Sequence, residues 1–204
     1  AGSRFTYLKG DLALLQFAII NFTLGVLINE KILAAIAAGA NLDIKVTPFI
    51  PIIPPAMIKP AVLNRMARLD PREDKYYLAK DDLFLAGSAE HTVGALHMDE
   101  IIDASRLPIR YVGYATSWRR EAGSYGKDTK GIFRMHQFDK IEMETFCLPG
   151  KAITEQDWLV AIQEYLMQQL GLPYQVVIIC TGDMGFPDHR QIDIETWLPG
   201  QDTY

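Results

Sequence analysis

WRREAGSYGKDTKGIFRMHQFDKIE, running from Trp118 to Glu142, decides the fold of this chain. It gathers three arginines and three lysines around a glycine-bearing middle, in a chain whose formal net charge is -5. The flanks RLPIRYVGYATSWRRE and FRMHQFDKIEMETF alternate with period two, which predicts two antiparallel strands of one hairpin. Strand parity places Arg119 and Glu121 on one face of the first strand. On the second, Arg134, Phe138 and Glu142 share a face at spacings of four, about 13 Å per step. The loop between them, roughly Ala122 to Ile132, holds glycines at 123, 126 and 131 and the cations Lys127 and Lys130. Such a loop is expected to be mobile, basic and able to close over a ligand.

A cation, an aromatic plate and a carboxylate in one row suit a nucleoside triphosphate. Arginine offers planar, bidentate donors to phosphate and stays charged. Phenylalanine gives a base a face to stack on, worth about 1–3 kcal/mol where such stacks are measured. Glutamate accepts hydrogen bonds from an amine or a hydroxyl. A solvated hairpin with cross-strand ion pairs, each worth ~0.2–1 kcal/mol, accounts for any one of these residues. It does not account for Phe138 lying between Arg134 and Glu142.

Upstream, Lys75 to Leu96 reads as a strand, a turn at Asp81-Asp82, a second strand, and a helix beginning near Glu90. Within it, GSAEH (Gly87–His91) brings Ser88 and Glu90 to one face at a strand end, a hydroxyl and a carboxylate for an ammonium. A Ser-x-Glu helix cap is the competing reading. His91 and His136 read as structural histidines. Further upstream, the prolines at 48, 51, 54 and 55 restrict Ile44–Pro60 to an edge strand or extended arm. Leu12–Ile28, with Asp11 as N-cap, predicts a buried or interface helix that continues through EKILAAIAAG to Gly39.

Downstream, Thr154 and Asp157 read as a capping box for a helix whose apolar face includes Trp158, Ile162, Tyr165 and Leu166, stopped by Gly171 and Pro173. YQVVIIC is expected as a buried strand, TGDMGFPDHR as a loop, and QIDIETW as a further strand. Strands joined by hairpins rather than regular βαβ units make the class α+β, a mainly antiparallel sheet flanked by helices.

With 204 residues, 49% of them hydrophobic, the chain is long enough for one substantial core. Its mild acidity argues against binding nucleic acid over the whole surface. Cys147 and Cys180 form no CxxC pair with histidines, so two buried free thiols of a cytoplasmic protein are expected and no metal ligands are identifiable. Leu12–Ile28 falls short of the ~20 residues a bilayer span needs and carries Gln16, Asn21 and Thr23, so no membrane association is expected. Nothing there resembles a signal peptide.

The stretch WRREAGSYGKDTKGIFRMHQFDKIE resembles motif 2 of the class II aminoacyl-tRNA synthetases, and the seryl-tRNA synthetases in particular. The likeness extends to AGSRFTYLKGDLALLQFAIINF, to PFIPIIPPAM where motif 1 belongs, to GSAEH in place of that family's Thr-Ala-Glu, and to CTGDMG through IETWLPGQDTY. It implies a class II catalytic core that activates serine with ATP and transfers it to tRNA(Ser). In that core Arg119, Glu121 and Arg134 are the catalytic, ATP-binding residues. Arg119 holds the α-phosphate and the serine carboxylate, Glu121 the adenine side, Arg134 the phosphate tail. Phe138 stacks on adenine. Glu142, Ser88 and Glu90 complete the serine pocket with Arg119, although Ser88 departs from the family's threonine while keeping the hydroxyl. Lys127 and Lys130 meet the tRNA acceptor end, and Mg²⁺ accompanies ATP.

The same resemblance implies that residues 1–204 form a single catalytic-core domain. The N-terminal tRNA-binding arm, the Glu-x-x-Ser stretch and motif 3 would lie outside them. A homodimer is expected from the proline-broken strand beside an apolar first helix. Two alternatives stand beside the ligase. One is a catalytically impaired paralogue serving as a binding or dimerisation module. The other is an amino acid:carrier protein ligase, which would need a zinc cluster that the cysteine and histidine positions do not supply.

Overall fold

A computed structural model describes residues 4–121 and 132–204. The predicted loop around Lys127 and Lys130 therefore lies outside the described residues. In chain order the elements are α1 (Asp11–Leu27), α2 (Glu30–Gly39), β1 (Ile50–Ile52), β2 (Met57–Ile58), α3 (Pro60–Arg65), β3 (Tyr77–Leu78), β4 (Leu83–Leu85), α4 (Glu90–Val93), β5 (Ile109–Trp118), β6 (Gln137–Phe146), α5 (Ala152–Gln169), β7 (Tyr174–Ile178) and β8 (Ile192–Thr196).

The chain divides into two compact units. The first comprises Ala1–Ile28 with Phe49–Phe146, and the second Asn29–Pro48 with Cys147–Tyr204.

In the first unit the predicted hairpin is the dominant feature. β5 and β6 pair antiparallel over ten residues each, from Ile109 opposite Phe146 to Trp118 opposite Gln137. The proline-rich segment does become an edge: β1 joins the free side of β5, in parallel, making the order β1-β5-β6. A second small antiparallel sheet, β2-β4-β3, forms around the turn at Asp81-Asp82, where Asp82 has φ 50. Ile58, Leu63, Leu69 and Phe84 make its core. The sheet pattern is thus α+β with one parallel pairing among antiparallel ones.

One glycine brings a helix onto the hairpin. A Cβ on Gly113 of β5 would lie 3.1 Å from the Cβ of Ala89 and 3.2 Å from Cγ2 of Val93. The missing side chain lets α4 and its approach sit directly on the sheet, where Ala89, Val93 and Ala115 form a buried cluster. On the opposite face, Asp139 accepts from Tyr114 Oη at 3.0 Å, Thr116 Oγ1 at 2.7 Å and Gln16 Nε2 of α1 at 2.5 Å.

Several sequence expectations are corrected. Asp11 is the first residue of α1 and not its cap; Gly10, at φ 59, holds that place. The long first helix breaks at Asn29, whose Oδ1 accepts from the backbone N–H of Lys31 and Ile32 and starts α2 afresh, as asparagine does readily at an N-cap. α1 is not buried: only Val26 and Leu27 are, while Leu14 is 66% and Phe17 58% exposed.

In the second unit α2 packs against α5. α5 starts at Ala152 after a 3-10 turn over Pro149–Lys151, so Thr154 lies inside the helix and the capping box does not form. Trp158, Ile162 and Leu166 are buried as expected, and Gly171 at φ 66 closes the helix. β7 and β8 pair antiparallel, but β7 is not a buried strand: Ile178 is 72% exposed. An apolar run marks a strand without saying what covers it. Cys147 is half-buried and Cys180 exposed, neither in a disulfide, where two buried thiols were expected. Among the described residues no single helix is long and apolar enough to cross a membrane.

Candidate active site

Residues paired across an antiparallel ladder share a face. Phe138, Lys140, Glu142 and Glu144 of β6 therefore face the same way as their partners Ser117, Ala115, Gly113 and Tyr111 of β5. Gly113 and Ala115 of that set pack against Ala89 and Val93, so this is the face on which α4 lies. A row of aromatic ring, ammonium and two carboxylates runs along it at steps of about 6.6 Å.

Glu142 is the meeting point. Its Oε2 accepts from the Ser88 hydroxyl and from the backbone N–H of Glu90 at 2.9 Å. Its Oε1 lies 2.6 Å from Lys140 Nζ, and that ammonium also reaches Ser88 Oγ at 3.4 Å. Burial pushes Glu142 upward, yet the Lys140 charge and the hydrogen bonds of Lys140, Ser88 and Glu90 outweigh it and hold the carboxyl below its ordinary range. Ser88 and Glu90 do converge, though not as residues of a strand end. Ser88 is buried in the turn after β4, Glu90 opens α4, and only the backbone N–H of Glu90 reaches Glu142. The Glu90 carboxylate turns to Arg68, 2.5 Å away. Ala89, not Ser88, occupies the cap position, and no side chain caps the helix.

At the other end of the row, the guanidinium of Arg119 lies 5.3 Å from the centroid of the Phe138 ring. Arg119 Nε donates to the carbonyl of Gly87 at 3.0 Å, and its backbone pairs with His136. Gly87 thus ties the turn that carries Ser88 to the arginine beside Phe138. The parity argument fails for Arg119 and Glu121, because β5 ends at Trp118 and Glu121 sits at φ 56. It fails for Arg134 too, which precedes the start of β6 at Gln137; only Phe138 and Glu142 are strand neighbours on one face. Beyond the strand ends, Arg134 Nη1 and Glu121 Oε2 pair with each other at 2.6 Å.

The histidines have structural partners. His91 Nδ1 accepts from the backbone N–H of Gly87 at 3.3 Å, and burial with the Lys75 charge lowers its pKa to about 4. His136 contacts the Arg119 carbonyl through Nδ1 and packs against the ring of Phe5. Three contributors were missed in the sequence: Lys140, Arg68 and Glu144. Burial, together with Glu90 and Glu142, raises Glu144 to about 8. The two strand residues were legible from parity, since both lie two positions from Glu142. Arg68 carried no local signal.

The sequence profile of the tRNA synthetase class II core domain (G, H, P, S and T) matches residues 75–204. The chain belongs to that class II synthetase family. It is 42% identical over its whole length to the serine–tRNA ligase of Clavibacter michiganensis, of which it spans 44%. The seryl-tRNA synthetase of Pyrococcus horikoshii, solved with ATP, superimposes with a TM-score of 0.84 at 37% identity, covering 100% of this chain and 42% of that one. The cytoplasmic serine–tRNA ligase of Naegleria fowleri, solved with AMP, gives 0.82 at 31% identity, covering 97% and 43%. The chain therefore spans less than half the length of the synthetases it resembles. For the Mg²⁺ that this family implies, the described residues offer no group of three or more His, Cys, Asp or Glu side chains that fits a metal ion.

Proposed function

We propose that this chain is the catalytic core, over residues 1–204, of an ATP-dependent serine–tRNA ligase acting in the cytoplasm. In the first step a serine carboxylate oxygen attacks the α-phosphorus of ATP, the bond to the β-phosphate breaks, and seryl-adenylate and pyrophosphate form. In the second, a terminal ribose hydroxyl of tRNA(Ser) attacks the activated carbonyl and AMP leaves. The observation that carries this reading is the single β6 face that joins the Arg119–Phe138 pair to the Glu142 pocket, about 13 Å apart along the strand.

Phe138 stacks on adenine, and Arg119 bridges the α-phosphate and the serine carboxylate. Glu142, with Ser88 and Glu90, receives the amino acid's hydroxyl and amine. Arg134 turns from Glu121 to the phosphate tail, and Glu121 is then available to the adenine amine. Holding nucleophile and phosphorus in line supplies on the order of 7–11 kcal/mol. The arginines stabilise the charge that develops at phosphorus. Lys127 and Lys130 contact the acceptor end of tRNA, an interaction that weakens steeply with salt.

We also infer a homodimer. Its support is α1, apolar around its circumference and with Leu12, Leu14, Leu15 and Phe17 exposed. Sedimentation of a folded monomer at micromolar concentration overturns it.

Serine-dependent exchange of labelled pyrophosphate into ATP tests the ligase reading. Exchange is expected to fall by at least about 100-fold in Arg119→Ala. A folded protein that shows no serine-dependent exchange points instead to a binding or dimerisation module.

A further inference from the structure

We propose that Lys140 is a positioning residue that leaves Glu142 a single open acceptor site, so that the carboxylate takes one hydrogen from an incoming amino acid, that of the serine hydroxyl. The inference rests on the reading of Glu142 as the acceptor for the serine hydroxyl. An ionised carboxylate offers about four acceptor sites, two on each oxygen. In this pocket Oε2 already takes two donors, the Ser88 hydroxyl and the Glu90 N–H. Oε1 takes one, the Lys140 ammonium at 2.6 Å. One site remains, on Oε1.

Lys140 does more than fill a site. It is on the same strand face as Glu142, two residues away, and its ammonium also lies 3.4 Å from Ser88 Oγ. It thereby contacts both the carboxylate and the hydroxyl that is hydrogen-bonded to it. Lys140 is a permanent donor and cannot accept from a substrate, so a hydroxyl that donates to this pair must turn to Oε1.

The surroundings make this cation decisive for the charge on Glu142. Glu144 follows on the same face, and Glu90 and Glu142 both act on it to favour its neutral form. Arg68 is engaged with Glu90 at 2.5 Å, and His91 beside the pocket is held neutral near pH 7 by its burial. Among the described residues, Lys140 is the cation in contact with Glu142. Without it, burial acts against the charged form with only the Ser88 and Glu90 hydrogen bonds opposing it, and a proton on the carboxyl would occupy the acceptor site that a hydroxyl needs.

Two readouts test the proposal. The first needs no ligand: side-chain carboxyl NMR, with Glu142→Gln assigning the resonance, follows the titration of Glu142 in the unaltered chain, in Lys140→Met, in Lys140→Gln and in Lys140→Arg. Glu142 is expected to titrate below the ordinary range in the unaltered chain and in Lys140→Arg, and well above that in the other two variants. An unchanged titration in Lys140→Met and Lys140→Gln overturns the proposal. The second is kinetic. In pyrophosphate exchange the KM for serine is expected to rise about tenfold in Lys140→Met, with KM for ATP unchanged and with partial rescue by Lys140→Arg. A fall in ATP and serine affinity together, or no rescue, overturns the positioning role. If the unaltered protein activates no serine, the ligase reading falls, and the NMR titration decides the role of Lys140 on its own.

Discussion

The Arg119 guanidinium sits 5.3 Å from the centre of the Phe138 ring while its Nε is held by the Gly87 carbonyl, 3.0 Å away. The aromatic plate and the cation are therefore held together by the fold itself, and the turn that carries Ser88 is anchored to the same arginine. Replacing Phe138 by leucine keeps apolar bulk but removes the stacking face. The KM for ATP is expected to rise about tenfold while the KM for serine stays unchanged, as measured by pyrophosphate exchange.

Behind the site, Asp139 fixes the hairpin. It collects Tyr114, Thr116 and Gln16 on its two oxygens. Asparagine at this position turns an NH₂ group toward at least one of those donors. Asp139→Asn is expected to lower stability by about 1.5–3 kcal/mol, read as a lower urea midpoint.

Glu144 titrates at about 8 in the folded chain, against an ordinary value of 4.5, chiefly through burial. Between those values the unfolded chain has released a proton that the folded chain keeps. Native stability from this group is therefore complete below about pH 4.5 and is lost as pH rises through 8. Glu144→Gln is expected to be more stable than the parent at pH 8–9 by on the order of a few kcal/mol, with the difference closing toward pH 4.5. Urea unfolding across that range checks it.

His91 works in the opposite direction. Its folded pKa of about 4 lies below the ordinary 6.5, so as pH falls between them the unfolded chain takes up a proton that the folded chain refuses. A proton on Nδ1 would also displace the hydrogen bond from Gly87 N. Stability is expected to decline from pH 6.5 to 4 by on the order of 3 kcal/mol through this residue. His91→Asn, which can still accept from Gly87, should flatten that decline in a pH series of denaturation midpoints.

Much of the hairpin is legible in the sequence. Period-two alternation from Ile109 and from Gln137 marks both strands, and the prolines at 51 and 54 correctly mark an edge. The parity rule also placed Phe138 and Glu142 on one face. It failed where the strands stop: Arg119, Glu121 and Arg134 lie beyond the ladder, and the backbone there follows turns that alternation does not describe. Thr154 and Asp157 had the right spacing for a capping box, but the preceding 3-10 turn starts α5 three residues earlier.

The sequence by itself determined the strands, the candidate cation, aromatic and carboxylate residues, and, through its motif, the synthetase family. These depend on short-range periodicity and on residue identity along the chain. Only the tertiary structure decided which of those groups meet: that Ser88 and the Glu90 N–H close on Glu142, that Glu90 turns its own carboxylate to Arg68, and that Lys140 pairs with Glu142. The partners of Glu142 include residues more than fifty positions away, brought onto the sheet because Gly113 has no side chain to keep α4 off it. A carboxylate's charge and free acceptor sites depend on what packs around it, and packing between distant segments leaves no local periodic trace in the sequence.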